Sequence, residues 1–334
     1  MRREEIFPQL LDHQSKTPVQ LFGCAFAPAN IALCKYWGKR NLELNLPITS
    51  SLSISLNNKG TLAKISLSSN QQHKLIINDQ SLNLEAIPAK YLLSFLDEFS
   101  FLTKKAYQLE LNFNIPLAAG FASSASTYAA IVKAFDDFFG WQLDKKYLSI
   151  LARLGSGSAC RSIFDGFVEW LCGRDPDGMD SYAQPVKETW PEFGIGLCTI
   201  TNQQKSISSR EGMKRTVISS ALYSSWPEKV THDLLLLKKS IAEKDFNLLG
   251  KIAESNALAM HATMLAAWPP LLYSSPNTIK CMQKIWKLRE NGLVLYFTQD
   301  AGPNIKLLFL KSEEEKVKQH FPYVEIIYPF ENKP

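Results

Sequence analysis

The sequence has little of what would mark a secreted, membrane-spanning or metal-binding chain. Its six cysteines, Cys24, Cys34, Cys160, Cys172, Cys198 and Cys281, form no CxxC pair, and no histidines stand at zinc-finger spacing. Neither a disulfide framework nor structural zinc is expected. No apolar run approaches the roughly 18 residues that cross a bilayer. The opening MRREEIFPQLLDHQSK lacks the apolar core of a signal peptide. A cytoplasmic protein without a membrane partner is the expectation. The net charge of +5, from 37 Lys and Arg against 32 Asp and Glu, is spread along the chain with no basic tail or stripe, which disfavours a nucleic-acid partner. Also missing are a Pro/Gly/Ser-rich linker, an internal repeat, a low-complexity tract and the GxxxxGK[ST] of a Walker A loop.

What is present is a globular composition, 46% hydrophobic and 21% charged over 334 residues, with material for two domains or one large one. Residues 1–21 read as an extension with a short possible helix and no legible function. A first strand is expected over 22–27. Alternation places further strands at Ser50 to Leu56 and through Leu109, Leu111, Phe113 and Ile115. Tyr91, Leu92, Phe95, Leu96 and Phe99 recur at helical spacing between them. After about residue 185 the pattern restarts with a strand over 194–201. Three long helical stretches follow between 212 and 289, then strands over 292–298, 305–310 and 323–328. Strands bracketing helices, without a regular βαβ series, predict an α+β protein. The expected units are 22–187 and 188–334, packed closely with a cleft between them.

Chemistry is concentrated first in Pro116-Leu-Ala-Ala-Gly-Phe-Ala-Ser-Ser-Ala-Ser126, which follows a strand and precedes an apolar helix to about Phe139. Gly120 permits a tight turn, and Ala119, Ala122, Ser123 and Ser124 leave little bulk between backbone amides and an anion. Amides at a helix N-terminus bind phosphate well. The hydroxyls of Ser123, Ser124 and Ser126 would add bonds, with Ser124 the candidate magnesium ligand. A serine N-cap alone accounts for the same pattern.

The segment resembles the P-x-x-x-G-L-G-S-S-A phosphate loop of the small-molecule kinase superfamily that contains galactokinase, homoserine kinase and mevalonate kinase, with Phe121 and Ala122 in place of Leu and Gly. Further stretches resemble the diphosphomevalonate decarboxylase family: Ala27-Pro-Ala-Asn-Ile-Ala-Leu-Cys-Lys-Tyr-Trp-Gly-Lys39, Arg153-Leu-Gly-Ser-Gly-Ser-Ala-Cys-Arg-Ser162, Lys205-Ser-Ile-Ser-Ser-Arg-Glu-Gly-Met213 and Asp300-Ala-Gly-Pro-Asn304. The resemblance implies a two-domain GHMP-kinase-like fold. Its N-terminal domain would be ribosomal protein S5 domain 2-like and its C-terminal domain ferredoxin-like. The implied cofactors are ATP and Mg2+, the implied partner is a small phosphorylated mevalonate, and a homodimer is common among relatives.

The activity implied is phosphorylation of the C3 hydroxyl of a 5-phosphorylated 3-hydroxy acid, followed by loss of phosphate and carbon dioxide. Asp300 would orient that hydroxyl and take its proton late, since a carboxylate near pKa 4 cannot ionise a tertiary alcohol in advance. The same charge would stabilise the cation left at C3. Lys35 would hold Asp300 ionised, and Arg161 would clamp the C1 carboxylate. The resemblance assigns the 5-diphosphate to Tyr36, Trp37, Gly38, Lys39, Ser156, Gly157, Ser158 and Arg210. Ala159 and Cys160 lie within the same stretch, Cys160 as small packing rather than a nucleophile. Lys74 is placed there by approximate alignment, and Asn30 is expected to bond Arg161 or the substrate. His261 is expected to be structural. Mevalonate 5-phosphate or a bisphosphorylated mevalonate remains open as substrate, as do a kinase that stops after phosphorylation and an idle binding protein.

Overall fold

The computed structural model describes residues 2–115, 123–201 and 207–331. A short helix α1 (Arg3–Leu11) opens the chain, followed by β1 (Gly23–Cys34) and the long β2 (Ser51–Leu67). The first sheet adds β3 (Lys74–Ile77), β4 (Gln80–Ser81), β5 (Tyr107–Phe113), β6 (Phe167–Trp170) and β7 (Ala183–Pro185). Its order is β4-β3-β5-β2-β6-β7, and β1 also pairs with β2. All pairings are antiparallel except β3 with β5. Helices α2 (Ile87–Asp97), α3 (Ser123–Phe139) and α4 (Lys145–Gly155) interrupt the strands.

The second sheet is β9-β10-β8-β11, built from β8 (Phe193–Cys198), β9 (Tyr296–Gln299), β10 (Ile305–Leu310) and β11 (Glu325–Ile327), all antiparallel. Between β8 and β9 run α5 (Ser209–Ser219), α6 (Trp226–Glu243), α7 (Phe246–Leu265) and α8 (Pro276–Glu290). The α+β expectation holds. The 212–289 region divides into four helices rather than three stretches, parted by the connections at Ser220–Ser225, Lys244–Asp245 and Ala266–Ser275.

β1 runs well past the expected 22–27 strand. Its apolar sequence continues through Ala29, Ile31 and Leu33, all without solvent exposure, so nothing local ends the strand there. Pro28 has no N–H to give a ladder and sits at a register shift between Pro28 and Asn30. The strand resumes after it and delivers Asn30 and Lys35 to the middle of the molecule. β2 is likewise longer than its alternating segment, because its two halves face different cores. Ala63 and Ile65 join the first core, under α2, α3 and α4. Leu52, Ile54 and Leu56 pack with Trp190, Phe193, Val230, Leu237 and Met260 from the second half. A third core lies between the second sheet and α8, around Ile285, Phe297, Leu307 and Phe309.

The N-terminal residues are not a loose extension. Ile6, Phe7 and Leu11 of α1 are completely buried in the first core. Phe7 stands edge-on to Phe95 and Phe99, with centroids 5.8 and 4.9 Å away.

Candidate active site

Between the two sheets lies a cavity of about 400 Å³. Among the described residues its wall carries four cationic side chains, Lys35, Lys39, Arg161 and Arg210, and one carboxylate, Asp300. Such a surplus of positive charge suits an anionic ligand with several negative groups.

Asp300 follows the last residue of β9 and is held from both sides. Lys35 Nζ donates to its Oδ1 at 2.8 Å, and Lys306 Nζ forms an ion pair with its Oδ2 at 3.0 Å. The two lysines are 2% and 0% exposed, against 24% for the carboxylate, so of the three Asp300 is the most open to the cavity, Lys35 lines it with little exposure and Lys306 lies behind. Burial alone pushes the Asp300 carboxyl up, but the Lys306 and Lys35 ammonium groups outweigh it and hold it well below the usual carboxylate range. Burial draws Lys35 down to about 8 against the opposing pull of Asp300. The Asp300 carbonyl lies 3.2 Å from His261 Nε2. Burial pulls this imidazole down to about 4, so it is neutral at pH 7 and fixes the loop without adding charge, in keeping with a structural role.

Lys35 is positioned as firmly as its partner. Its backbone N–H donates to Asn256 Oδ1 at 2.8 Å and its Nζ to the Ala32 carbonyl at 2.8 Å. Asn256 donates in turn to Asp233 Oδ2 at 2.8 Å. The end of β1 is thereby fastened to α6 and α7, which sequence spacing gave no means of seeing.

Arg161 comes from a short 3-10 helix, Gly157–Ile163, after α4. It is 3% exposed. Its Nε donates to Asn30 Oδ1 at 3.2 Å and its Nη1 to Ser51 Oγ at 2.6 Å. The guanidinium lies 5.9 Å from the Trp170 ring. Asn30, for which Arg161 or a substrate was the expected partner, bonds Arg161 and also donates to Ser162 Oγ at 2.8 Å. Gly157 lies under Tyr36 and Trp170, where an added Cβ would come within 2.8 Å of Tyr36 Oη and 2.9 Å of Trp170. Glycine is the only residue that lets this turn approach so closely.

The Tyr36–Lys39 run forms one wall. The Trp37 carbonyl accepts from Tyr223 Oη at 2.9 Å and Trp226 Nε1 at 3.0 Å, and Gly38 turns with φ 122° against Tyr223. Tyr36 Oη and Trp37 Nε1 are buried in the cavity wall with no hydrogen-bond partner among the described residues. Unpaired buried donors are costly, and at a cavity they mark where a ligand's acceptors belong. Lys39 Nζ donates to Asn45 Oδ1 at 2.6 Å. Burial, then Arg210, pull it down to about 8. Arg210, on α5, stacks on Tyr91 of α2 at 4.7 Å. Ser156 and Ser158 also line the cavity.

Several expected residues fall elsewhere. Lys74 is exposed at the start of β3, in register with Gln108 of β5, and is not part of the cavity wall. Strand β5 stands between it and β2. Ser126 is completely buried, its Oγ 2.7 Å from Thr61 Oγ1, because it lies on the face of α3 that packs on β2. Ala159 and Cys160 are also completely buried and do not reach the cavity. Burial pushes the Cys160 thiol up to about 12, which rules against a nucleophile. Pro116, Ala119, Gly120 and Ala122 lie outside the described residues. Ser123 opens α3, and Ser124 is exposed at the cavity. Lys205 is likewise outside the described residues.

Sequence reasoning missed Tyr91, Asn45, Ser208 and Ser209 in the wall and Lys306 behind Asp300. Ser208 and Ser209 stand inside the Lys205–Met213 motif, and Lys306 is the single charge in the apolar run Ile305-Lys-Leu-Leu-Phe-Leu310.

A family model described as diphosphomevalonate decarboxylase-like N-terminal domain matches residues 27–183. A second, described as mevalonate 5-diphosphate decarboxylase C-terminal domain, matches residues 195–333. The diphosphomevalonate decarboxylase of Candida albicans is 35% identical over 318 residues, covering 89% of this chain and 88% of the relative. Among solved structures, the Staphylococcus aureus mevalonate diphosphate decarboxylase is 33% identical with a TM-score of 0.86, covering 92% of this chain and 95% of that one. A structure solved as MDDEF in complex with MVAPP, AMPPCP and magnesium is 38% identical with a TM-score of 0.86, covering 92% and 96%. The mixed two-layer architecture is that of these decarboxylases and so of the GHMP-kinase-like fold. On sequence, on fold and over both halves, this chain belongs to the diphosphomevalonate decarboxylase family.

Proposed function

We propose that the protein catalyses ATP-dependent decarboxylation of (R)-5-diphosphomevalonate to isopentenyl diphosphate, with ADP, phosphate and carbon dioxide as the other products, in isoprenoid biosynthesis. The observation that carries this reading is one ionised carboxylate, Asp300, held by Lys35 and Lys306 in a cavity whose other charged residues, among those described, are all cations. ATP would supply the phosphoryl group that makes the C3 oxygen able to leave.

The residues of this chain do the rest. Asp300 orients the C3 hydroxyl. Held so far below the usual carboxylate range, it is a poor base: the proton moves late, as the bond to phosphorus forms, and passes on to the phosphate oxygens, leaving Asp300 ionised. When the C3–O bond breaks, the same charge stabilises the developing carbocation. Arg161 holds the C1 carboxylate by its planar fork, and Lys35 offsets charge on the transferring oxygens. Tyr36, Trp37, Lys39, Ser156, Ser158 and Arg210 bind the 5-diphosphate, and the unpartnered donors of Tyr36 and Trp37 support that assignment. The start of α3, with Ser123 and Ser124, is the proposed site for the nucleotide phosphates. Ser124 fits magnesium, which binds through one or two protein oxygens and completes its shell with phosphate and water. The complex of a relative with MVAPP, AMPPCP and magnesium supports both cofactors.

Two units, 22–187 and 188–334, are proposed on the two sheets, and a cytoplasmic homodimer on the family resemblance. Among the described residues, no helix is long and apolar enough to cross a membrane. Light scattering giving twice the 37.7 kDa chain mass would support the dimer.

The test is ADP and carbon dioxide release with mevalonate 5-diphosphate and 5-phosphate side by side. Turnover with the diphosphate is expected. Turnover with the monophosphate alone would move the assignment to a decarboxylase yielding isopentenyl phosphate, and ADP without carbon dioxide would make the protein a kinase.

A further inference from the structure

Lys306 occupies an inner strand of the second sheet. Its neighbours Ile305 and Leu307 face the third core, while Leu308 faces the core shared by the two halves. Its side chain has no solvent exposure, and its Nζ reaches Asp300 Oδ2 at 3.0 Å and the Asn304 carbonyl at 3.4 Å. An ammonium there gives up its water, a cost that pairing offsets only in part. Lys35 alone already balances Asp300. Lys306 therefore brings a second positive charge to the Lys35–Asp300 pair. Replacing a buried ion by an apolar residue of similar volume is often neutral or stabilising.

Among the described residues Lys306 is not part of the cavity wall, and it meets Asp300 from behind that wall. We infer that Lys306 is a positioning residue for the reaction proposed above, fixing the orientation of the Asp300 carboxylate from the strand side and adding a surplus positive charge behind the transferring phosphoryl group. The inference rests on the decarboxylase reading. The groups facing Asp300 are Lys35 from the end of β1, Lys306 from β10, neutral His261 from α7 at the carbonyl, and Arg161 from the Gly157–Ile163 turn, which feels the Asp300 charge at longer range.

This arrangement has a signature that packing alone lacks. Lys306 lowers both Asp300 and Lys35. Removing its charge moves both groups upward, so the acid and the alkaline limb of the activity profile shift together to higher pH. A variant that merely loosens the fold loses amplitude with the limbs in place.

The experiment measures kcat, KM and the pH profile of carbon dioxide release from 5-diphosphomevalonate for wild type, Lys306→Met, Lys306→Gln and Lys306→Arg, with thermal unfolding alongside. For the Met and Gln variants the expectation is unfolding near the wild-type temperature and KM little changed. Their kcat should fall about 10- to 100-fold, with an alkaline limb above the wild-type position near pH 8. Arg keeps the charge, so its limb should stay in place and part of kcat should return. Unchanged kcat, or a fall in kcat with unshifted limbs, overturns the inference. If neither the Met nor the Gln variant folds, Lys306 is a structural residue and the inference fails. Absence of carbon dioxide release from wild type in the same assay would identify the decarboxylase reading, rather than Lys306, as the error.

Discussion

Individual side chains set the pH range in which the site works. Lys35 and Lys39 are both drawn down to about 8. Each is a cation below that value and neutral above it, so positive charge is lost as pH rises. Activity should therefore decline above about pH 8. The two lysines should separate in steady-state kinetics, Lys35 in kcat and Lys39 in KM for the diphosphate. An alkaline limb confined to KM would contradict the role given to Lys35. For Arg161→Gln, loss of a bidentate contact to a carboxylate should cost about 10- to 1,000-fold in kcat/KM, and unchanged kinetics would remove the clamp. Lys35, Arg161 and Asp300 were legible because each stands inside a dense motif. Lys306 was not, since a lone lysine usually lies in solvent and nothing local says that this one faces a buried carboxylate. Lys74 went astray for the opposite reason, as a basic residue before a strand whose partner order could not be read.

At the scale of elements, the loop from Asp300 to Asn304 is held by the strands around it. Asn304 is completely buried, and its Oδ1 accepts from the Ile200 and Thr201 amides at 2.6 and 3.1 Å. This ties the end of β8 to the Asp300 loop. Asn304→Ala leaves two half-buried amides without that acceptor and should cost about 1–3 kcal/mol, read as a lower urea midpoint at unchanged m-value. A variant as stable as wild type would show that water replaces the tie. Strand existence and type were largely visible in the sequence, and β10 matched its expected span of 305–310. Boundaries failed where one strand serves two cores. β1 and β2 both continue beyond their alternating segments, because the face they bury changes partway along. The helix α1 was visible only as a possibility, and Phe7 reveals its purpose only against Phe95 and Phe99.

For the whole molecule, the shared core joins the two halves. Leu52, Ile54 and Leu56 of the first sheet pack with Trp226, Val230 and Met260 of the second half. A hydrogen bond to Asn256 and others from Tyr223, Trp226 and Thr298 support the end of β1 and the residues beyond it. Burial on that scale predicts one cooperative unfolding transition, with calorimetric and van't Hoff enthalpies equal; two resolved transitions would show that the halves are independent. The cavity exists only where the halves meet, with Lys35 from one and Asp300 from the other. Release of labelled carbon dioxide from carboxyl-labelled 5-diphosphomevalonate, compared between wild type and Asp300→Asn, is the most direct test. The wild type should release it in step with ADP. The variant should still bind an ATP analogue yet be slower by about 10²- to 10⁴-fold or more. Release by Asp300→Asn at the wild-type rate would contradict the account.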